Sequence, residues 1–120
     1  MQDVRKAFHM FEKVRIPVIG VVENMSYFEV PGSGEKHYLF GQGGGRMLAN
    51  KFNTELLAEL PLVQAVREGG DVGRPIVSSE PDSPVSQKFR DLARKVAQRI
   101  SILTAEQKNP TEFIQIGRFN

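Results

Sequence analysis

"PVIGVVENMSYF", residues 17–28, is the stretch on which the fold turns. Val18 to Val22 is an apolar run built on β-branched residues around one glycine, the composition of a strand. Apolar and polar residues do not alternate within it. Both faces of such a strand are expected to be covered, as in a parallel sheet packed between helices. Pro17 sets the start, because the residue before a proline avoids the helical region. Asn24 then falls just past the carboxyl end of a buried strand, where open α/β sheets place ligand-binding groups.

Upstream, Val4, Ala7, Phe8, Phe11 and Val14 recur at helical spacing, with Asp3 as the cap. Downstream, "YFEV" and "KHYLF" flank Pro31-Gly32-Ser33-Gly34, turn residues that predict a small hairpin or folded loop over about 25–41. A glycine cluster leads into a helix from Gly44 to Phe52. "TELLAEL", residues 54–60, reads as a second buried strand closed by Pro61. A short helix from Val63 to Glu68 is expected to stop at Gly69-Gly70. Residues 71–84 read as extended and irregular. Ser83 then caps a long helix with Pro84 in the favoured first position, its stripe being Val85, Phe89, Leu92, Val96, Ile100 and Leu103. A polar tail follows over 104–120, in which "TEFIQIG" offers a short edge strand.

This order of elements is that of half of an α/β doubly wound, mostly parallel domain, spanning residues 1–103. Two strands make a poor sheet, so the chain reads as the second half of a larger one. Its 120 residues suit one hydrophobic core. The formal charge is +2 with both signs interspersed, which argues against a nucleic-acid binder. No stretch approaches the roughly 20 apolar residues that span a bilayer, and the start lacks an apolar signal core. Zero cysteines exclude disulfides and thiolate ligation by this chain. A cytoplasmic protein with no membrane partner is the expectation.

Candidate sites are few. The glycines at 41 and 43–45 are followed by Arg46, Met47 and Leu48, whereas a phosphate loop needs Gly-Lys-Ser/Thr and a dinucleotide loop needs a third glycine where Arg46 stands. A tight turn is the plainer reading of the cluster; anion binding at the following helix is the sharper one. His9 reads as solvated, and His37 with Glu35 and Glu29 is a thin basis for a metal site. Ser26, Ser33 and Ser86 lack a companion histidine and acid for a triad. Asn24 carries an amide that suits the edge of a purine ring, or one that ends the strand by bonding its own backbone. Arg90, Arg94, Lys95 and Arg99 read as a solvated helix face or a partner surface.

Taken in order, "DVRKAFHMFEKVRIPVIGVVENMSYF", "FGQGGGRMLA", "ELPLVQAVREGGDVGRPIV" and "EPDSPVSQKFRDLARKVAQRI" resemble the C-terminal half of the Mrp (ApbC-like) ATPases. These are P-loop proteins of the MinD/ParA group that serve as iron-sulfur cluster carriers. The resemblance runs from about Asp3 to about Ile100. It implies that Asn24 reads adenine and that Pro61 and Leu62 line the base pocket. It also implies a homo-oligomer that delivers clusters to apo iron-sulfur proteins. The family's Gly-Lys-Gly-Gly-Val-Gly-Lys-Ser/Thr loop, which holds ATP and magnesium for hydrolysis, has no counterpart here. No catalytic residue is therefore expected, and the segment alone is expected to be inactive. The family's Cys-x-x-Cys pair, which bridges a cluster across the dimer, falls on Val30 and Ser33, neither a fit ligand. A stand-alone partner-binding or scaffold module is the alternative reading.

Overall fold

The computed structural model describes residues 2–106. Five helices and three strands follow in the order α1 (Gln2–Lys13), β1 (Val21–Glu29), β2 (Lys36–His37), α2 (Gly44–Lys51), β3 (Leu56–Pro61), α3 (Gln64–Asp71), α4 (Ile76–Ser79) and α5 (Pro84–Glu106). Residues 20–95 form one compact unit; residues 2–19 and 96–106 form another. The expected edge strand "TEFIQIG" lies outside the described residues, and α5 runs past the expected boundary at 104 to Glu106. Among the described residues, no helix is long and apolar enough to cross a membrane.

In the second of these units, α1 turns Ala7, Phe8 and Phe11 to its half-buried face. Asp3 lies inside the helix's first turn instead of capping it, where its charge still suits the helix dipole. The helix ends before Pro17 in a Schellman motif. Ile16 N–H reaches the Phe11 carbonyl, Arg15 N–H reaches Glu12, and Arg15 takes the left-handed φ of 58°. Arg99 Nε donates to the Ile19 carbonyl at 3.2 Å.

Residues 20–95 hold the three-stranded sheet, in the order β2-β1-β3. β1 and β3 are parallel, with Val21 opposite Leu56 and Glu23 opposite Glu59; β1 and β2 are antiparallel, with Phe28 opposite His37. The hairpin is thus as expected. β1, however, starts at Val21 instead of Val18, because the first cross-strand bond is Val21 N–H to the Glu55 carbonyl. It also continues to Glu29, since β2 pairs with its far end. Val22 is 41% exposed and Val21 half-buried, so this strand is not covered on both faces within these residues. Its close approach to β3 is set at Gly20, where a Cβ would lie 2.5 Å from Leu57 Cγ.

The core of this unit is Tyr27, Leu48, Ala49, Leu57, Leu60, Ile76 and Val85. α2 reaches the sheet through Gly45, whose added Cβ would meet Glu23 Cβ and Leu56 Cδ1 at 3.1 Å. Gly41 and Gly43 take left-handed φ of 90° and 84° in the approach, Gly43 serving as the N-cap. Three glycines of the cluster therefore have turn or packing duties. α2 ends in a second Schellman motif with Asn53 at the left-handed position.

α3 corrects an expectation. It does not stop at Gly69-Gly70 but runs through them to Asp71, and its left-handed terminus is Gly73, φ 72°. Arg74 N–H closes back onto the Gly69 carbonyl at 2.7 Å. Gly69 is required for a different reason: a Cβ there would lie 2.4 Å from the Arg74 carbonyl oxygen. The region read as irregular also contains a turn of helix, α4. It is tied to α5 by Ser86, fully buried, whose hydroxyl lies 2.7 Å from the Glu80 carbonyl and 3.1 Å from that of Ile76. Ser83 caps α5 as expected, accepting from Ser86 N–H at 3.2 Å. The basic face of α5 is only partly solvated: Lys95 Nζ donates to the Leu57 carbonyl and Arg90 Nη2 to that of Pro81.

The two α3 glycines are expected to respond oppositely. Gly69→Ala forces a side chain against backbone and should destabilise by about 1–3 kcal/mol. Nothing lies within 4 Å of a Cβ at Gly70. Gly70→Ala should therefore stabilise by up to about 1 kcal/mol through helix propensity. Urea unfolding midpoints of the two variants check the pair.

Candidate functional site

The parallel ladder is broken where Asn24 stands. Glu23 pairs with Glu59 and Tyr27 with Pro61, so three residues of β1 face one of β3. The surplus is absorbed by a bulge in which Met25 adopts a left-handed φ of 53°. Asn24 thus lies within β1, not beyond its end as the sequence suggested; the strand resumes at Tyr27 because Leu62 N–H donates to the Tyr27 carbonyl at 2.7 Å. Two side-chain bonds hold the bulge. Ser26, buried, donates from Oγ to Glu23 Oε2 at 3.0 Å, and Met25 N–H donates to Asn24 Oδ1 at 2.9 Å. The amide of Asn24 bonds its neighbouring backbone, yet the side chain remains exposed and available to a ligand.

Pro61 and Leu62 stand at the end of β3, Pro61 buried and Leu62 half-buried. With Val63 they form one wall of a cavity of about 580 Å³, a volume typical of small-molecule sites. The hairpin tip, with Phe28, Val30 and Pro31, forms a second wall, and the start of α5 with Lys88 a third. Asn24 is not among the lining residues. The structure therefore brings Pro61 and Leu62 together with the hairpin tip and leaves Asn24 in the adjoining bulge.

Tyr27 links these features and was not singled out by sequence. Its ring is 2% exposed, packs against Tyr38 at 5.8 Å, and carries Lys36 Nζ 4.6 Å from its centroid, with Lys88 Nζ at 6.0 Å. Its neighbours gave no signal: Ser26 is itself buried and Phe28 is exposed, the reverse of what polarity alone suggests.

The hairpin tip does not fit an iron-sulfur cluster. Val30 has no donor side chain, and its backbone closes the turn: Val30 N–H bonds the Glu35 carbonyl at 2.8 Å, and Gly34 N–H bonds the Val30 carbonyl. Ser33 Oγ accepts from Glu35 N–H at 3.2 Å, and a serine is a poor substitute for thiolate. Glu35 and His37 approach to 3.5 Å, but among the described residues no group of three or more His, Cys, Asp or Glu side chains is placed to hold a metal ion.

A parallel strand pair with helical crossover and a loop-built site at its carboxyl end is the architecture of the P-loop nucleotide-binding proteins. Residues 1–97 match the ParA-type family of NUBPL iron-transfer P-loop NTPases, and the chain belongs to that family. It is 40% identical over 116 residues to an Arabidopsis thaliana iron-sulfur protein required for mitochondrial NADH dehydrogenase, covering 97% of this chain and 36% of the relative. An iron-sulfur cluster carrier protein of Aquifex aeolicus is 43% identical, covering 82% of this chain and 27% of the carrier. A nucleotide-binding protein of Archaeoglobus fulgidus, solved with ADP, is similar at a TM-score of 0.56 and 39% identity, over 72% of this chain and 34% of that one. The chain spans about a third of the length of the curated relatives it matches.

Removing the hydroxyl that ties the bulge should loosen it. Ser26→Ala leaves the half-buried Glu23 carboxylate one donor short, and a loss of about 1 kcal/mol is expected. Urea unfolding measures the loss. Faster exchange of the Met25 and Ser26 amide hydrogens localises it.

Proposed function

We propose that this chain is the base-side segment of a nucleotide-dependent iron-sulfur cluster carrier. The observation that carries the reading is the bulge within the parallel pair, which leaves an exposed amide at Asn24 next to the strand ends from which Pro61 and Leu62 line the cavity. An amide reads a heterocycle edge, and apolar residues such as proline and leucine suit a base's faces. The relatives support the rest: carriers and transfer proteins of iron-sulfur clusters, and a nucleotide-binding protein solved with ADP.

In this reading ATP and magnesium are held mainly by a phosphate loop outside these residues. That loop performs the hydrolysis, and the cluster is cargo passed to apo iron-sulfur proteins. The cluster's ligands likewise come from outside the hairpin tip, because Val30 and Ser33 supply none. Self-association is part of the proposal. The apolar residues Val22, Met25, Phe28 and Phe40 are all exposed in residues 20–95, and exposed apolar surface of this kind marks interaction sites.

Titration of the isolated 120-residue chain with magnesium and ATP tests the division of labour. Without charge-assisted phosphate contacts, no saturation is expected up to about 1 mM. The polypeptide as its gene encodes it should bind in the micromolar range. Micromolar binding by the isolated chain would contradict a phosphate site elsewhere; no binding by the gene-encoded polypeptide would remove the nucleotide reading.

A further inference from the structure

Beyond Tyr27 the hairpin is a two-stranded arm. The last pair between β1 and β3 is Tyr27 with Pro61. Past it, β1 pairs with β2 alone, through Phe28 with His37 and Glu29 with Lys36. All four of these residues are exposed. A hairpin without a third strand is marginally stable in water. What fixes the arm is its root, where Tyr27 packs against Tyr38 and carries Lys36 Nζ 4.6 Å from its ring centroid. The other two walls of the cavity are anchored in the core. Pro61 and Val85 are buried, and Ser86 bonds the carbonyls of Ile76 and Glu80. One wall can therefore open at a lower free energy than the other two.

We infer that the arm, residues 28–37, is a lid on the cavity, and that a nucleotide seated against Pro61 and Leu62 closes it. The inference rests on the nucleotide reading above and adds how that site is gated. Phe28, Val30, Pro31 and Gly32 of the arm line the same space as Pro61 and Leu62. An occupant that touches both walls holds the arm in place. The coupling is reciprocal: what loosens the arm weakens the occupant's binding by the same factor. Two backbone bonds report closure of the tip, Val30 N–H to the Glu35 carbonyl and Gly34 N–H to the Val30 carbonyl.

The test uses the polypeptide as its gene encodes it and follows amide hydrogen exchange with and without magnesium and ATP. Without nucleotide, the Val30 and Gly34 amides are expected to exchange faster than those of Val21 and Leu62, which bond across the parallel pair. With ATP at about a hundred times its Kd, the two arm amides should slow by about tenfold or more. An opening that leaves the ligand bound would not be slowed by it. Gly32→Ala supplies the reverse direction. Nothing lies within 4 Å of a Cβ there, but φ is 87°, a left-handed conformation that alanine disfavours. The variant should weaken ATP binding about three- to tenfold, because a smaller fraction of the protein has the arm closed.

Arm amides that exchange as slowly as Val21 and Leu62 before ATP is added would overturn the lid. So would arm amides that exchange faster and are not slowed by bound ATP, or an unchanged ATP affinity in Gly32→Ala. In each of these cases nucleotide binding itself still stands. Failure of the wild-type polypeptide to bind ATP removes the nucleotide reading, and the inference falls with it.

Discussion

The pairing of β1 with β3, and the way it is broken and restored, is the constraint on which the remaining geometry of residues 20–95 depends. Parallel strands exchange evenly spaced bonds, and β1 departs from that spacing by carrying three residues between Glu23 and Tyr27 against one on β3. Resumption requires Tyr27 to return to register, which the bond from Leu62 N–H secures. The burial of Tyr27, Leu57 and Leu60 then holds the two strands together on either side of the interruption. Gly20, where no side chain fits, and Gly45, where one would be tight, both lie against this pair.

What could be read in the residues was what short-range chemistry decides. Ser83 with Pro84, the turn Pro31-Gly32-Ser33-Gly34, and the glycine approach to α2 each specify their element locally, and each is found where it was expected. The misreadings share a cause. Gly69-Gly70 has the composition of a helix terminus, but the end of α3 is set by Gly73, and Gly69 answers to the Arg74 carbonyl, a neighbour that propensity does not see. The segment from Val18 to Gly20 belongs by composition to the strand, yet strand begins only where Glu55 offers a carbonyl. Asn24 was legible as a candidate, while its setting inside a bulge was not, because a bulge is a property of two strands and the sequence of one cannot state it. Tyr27 was hidden for the same reason.

The hairpin tip is built from residues that serve the turn itself. Relatives are named as carriers or transfer proteins of iron-sulfur clusters, and the hairpin of this chain holds no thiolate. Ser33 accepts from Glu35 N–H within the turn, and Val30 offers only backbone bonds and an apolar face to the cavity. The tip is held by its own hydrogen bonds.

The strand register also bears on the order in which the chain organises itself. The hairpin joins positions 28 and 37, whereas the parallel pair joins positions 21 and 56. Closing the longer loop costs more entropy, and non-local pairings of this kind form more slowly than local ones. Early in folding the chain therefore possesses the turn but not the bulge, since the bulge exists only once both strands are in place. The outward amide of Asn24 is accordingly a late product of folding, and a chain arrested before the parallel strands meet carries a formed hairpin with no oriented amide beside it.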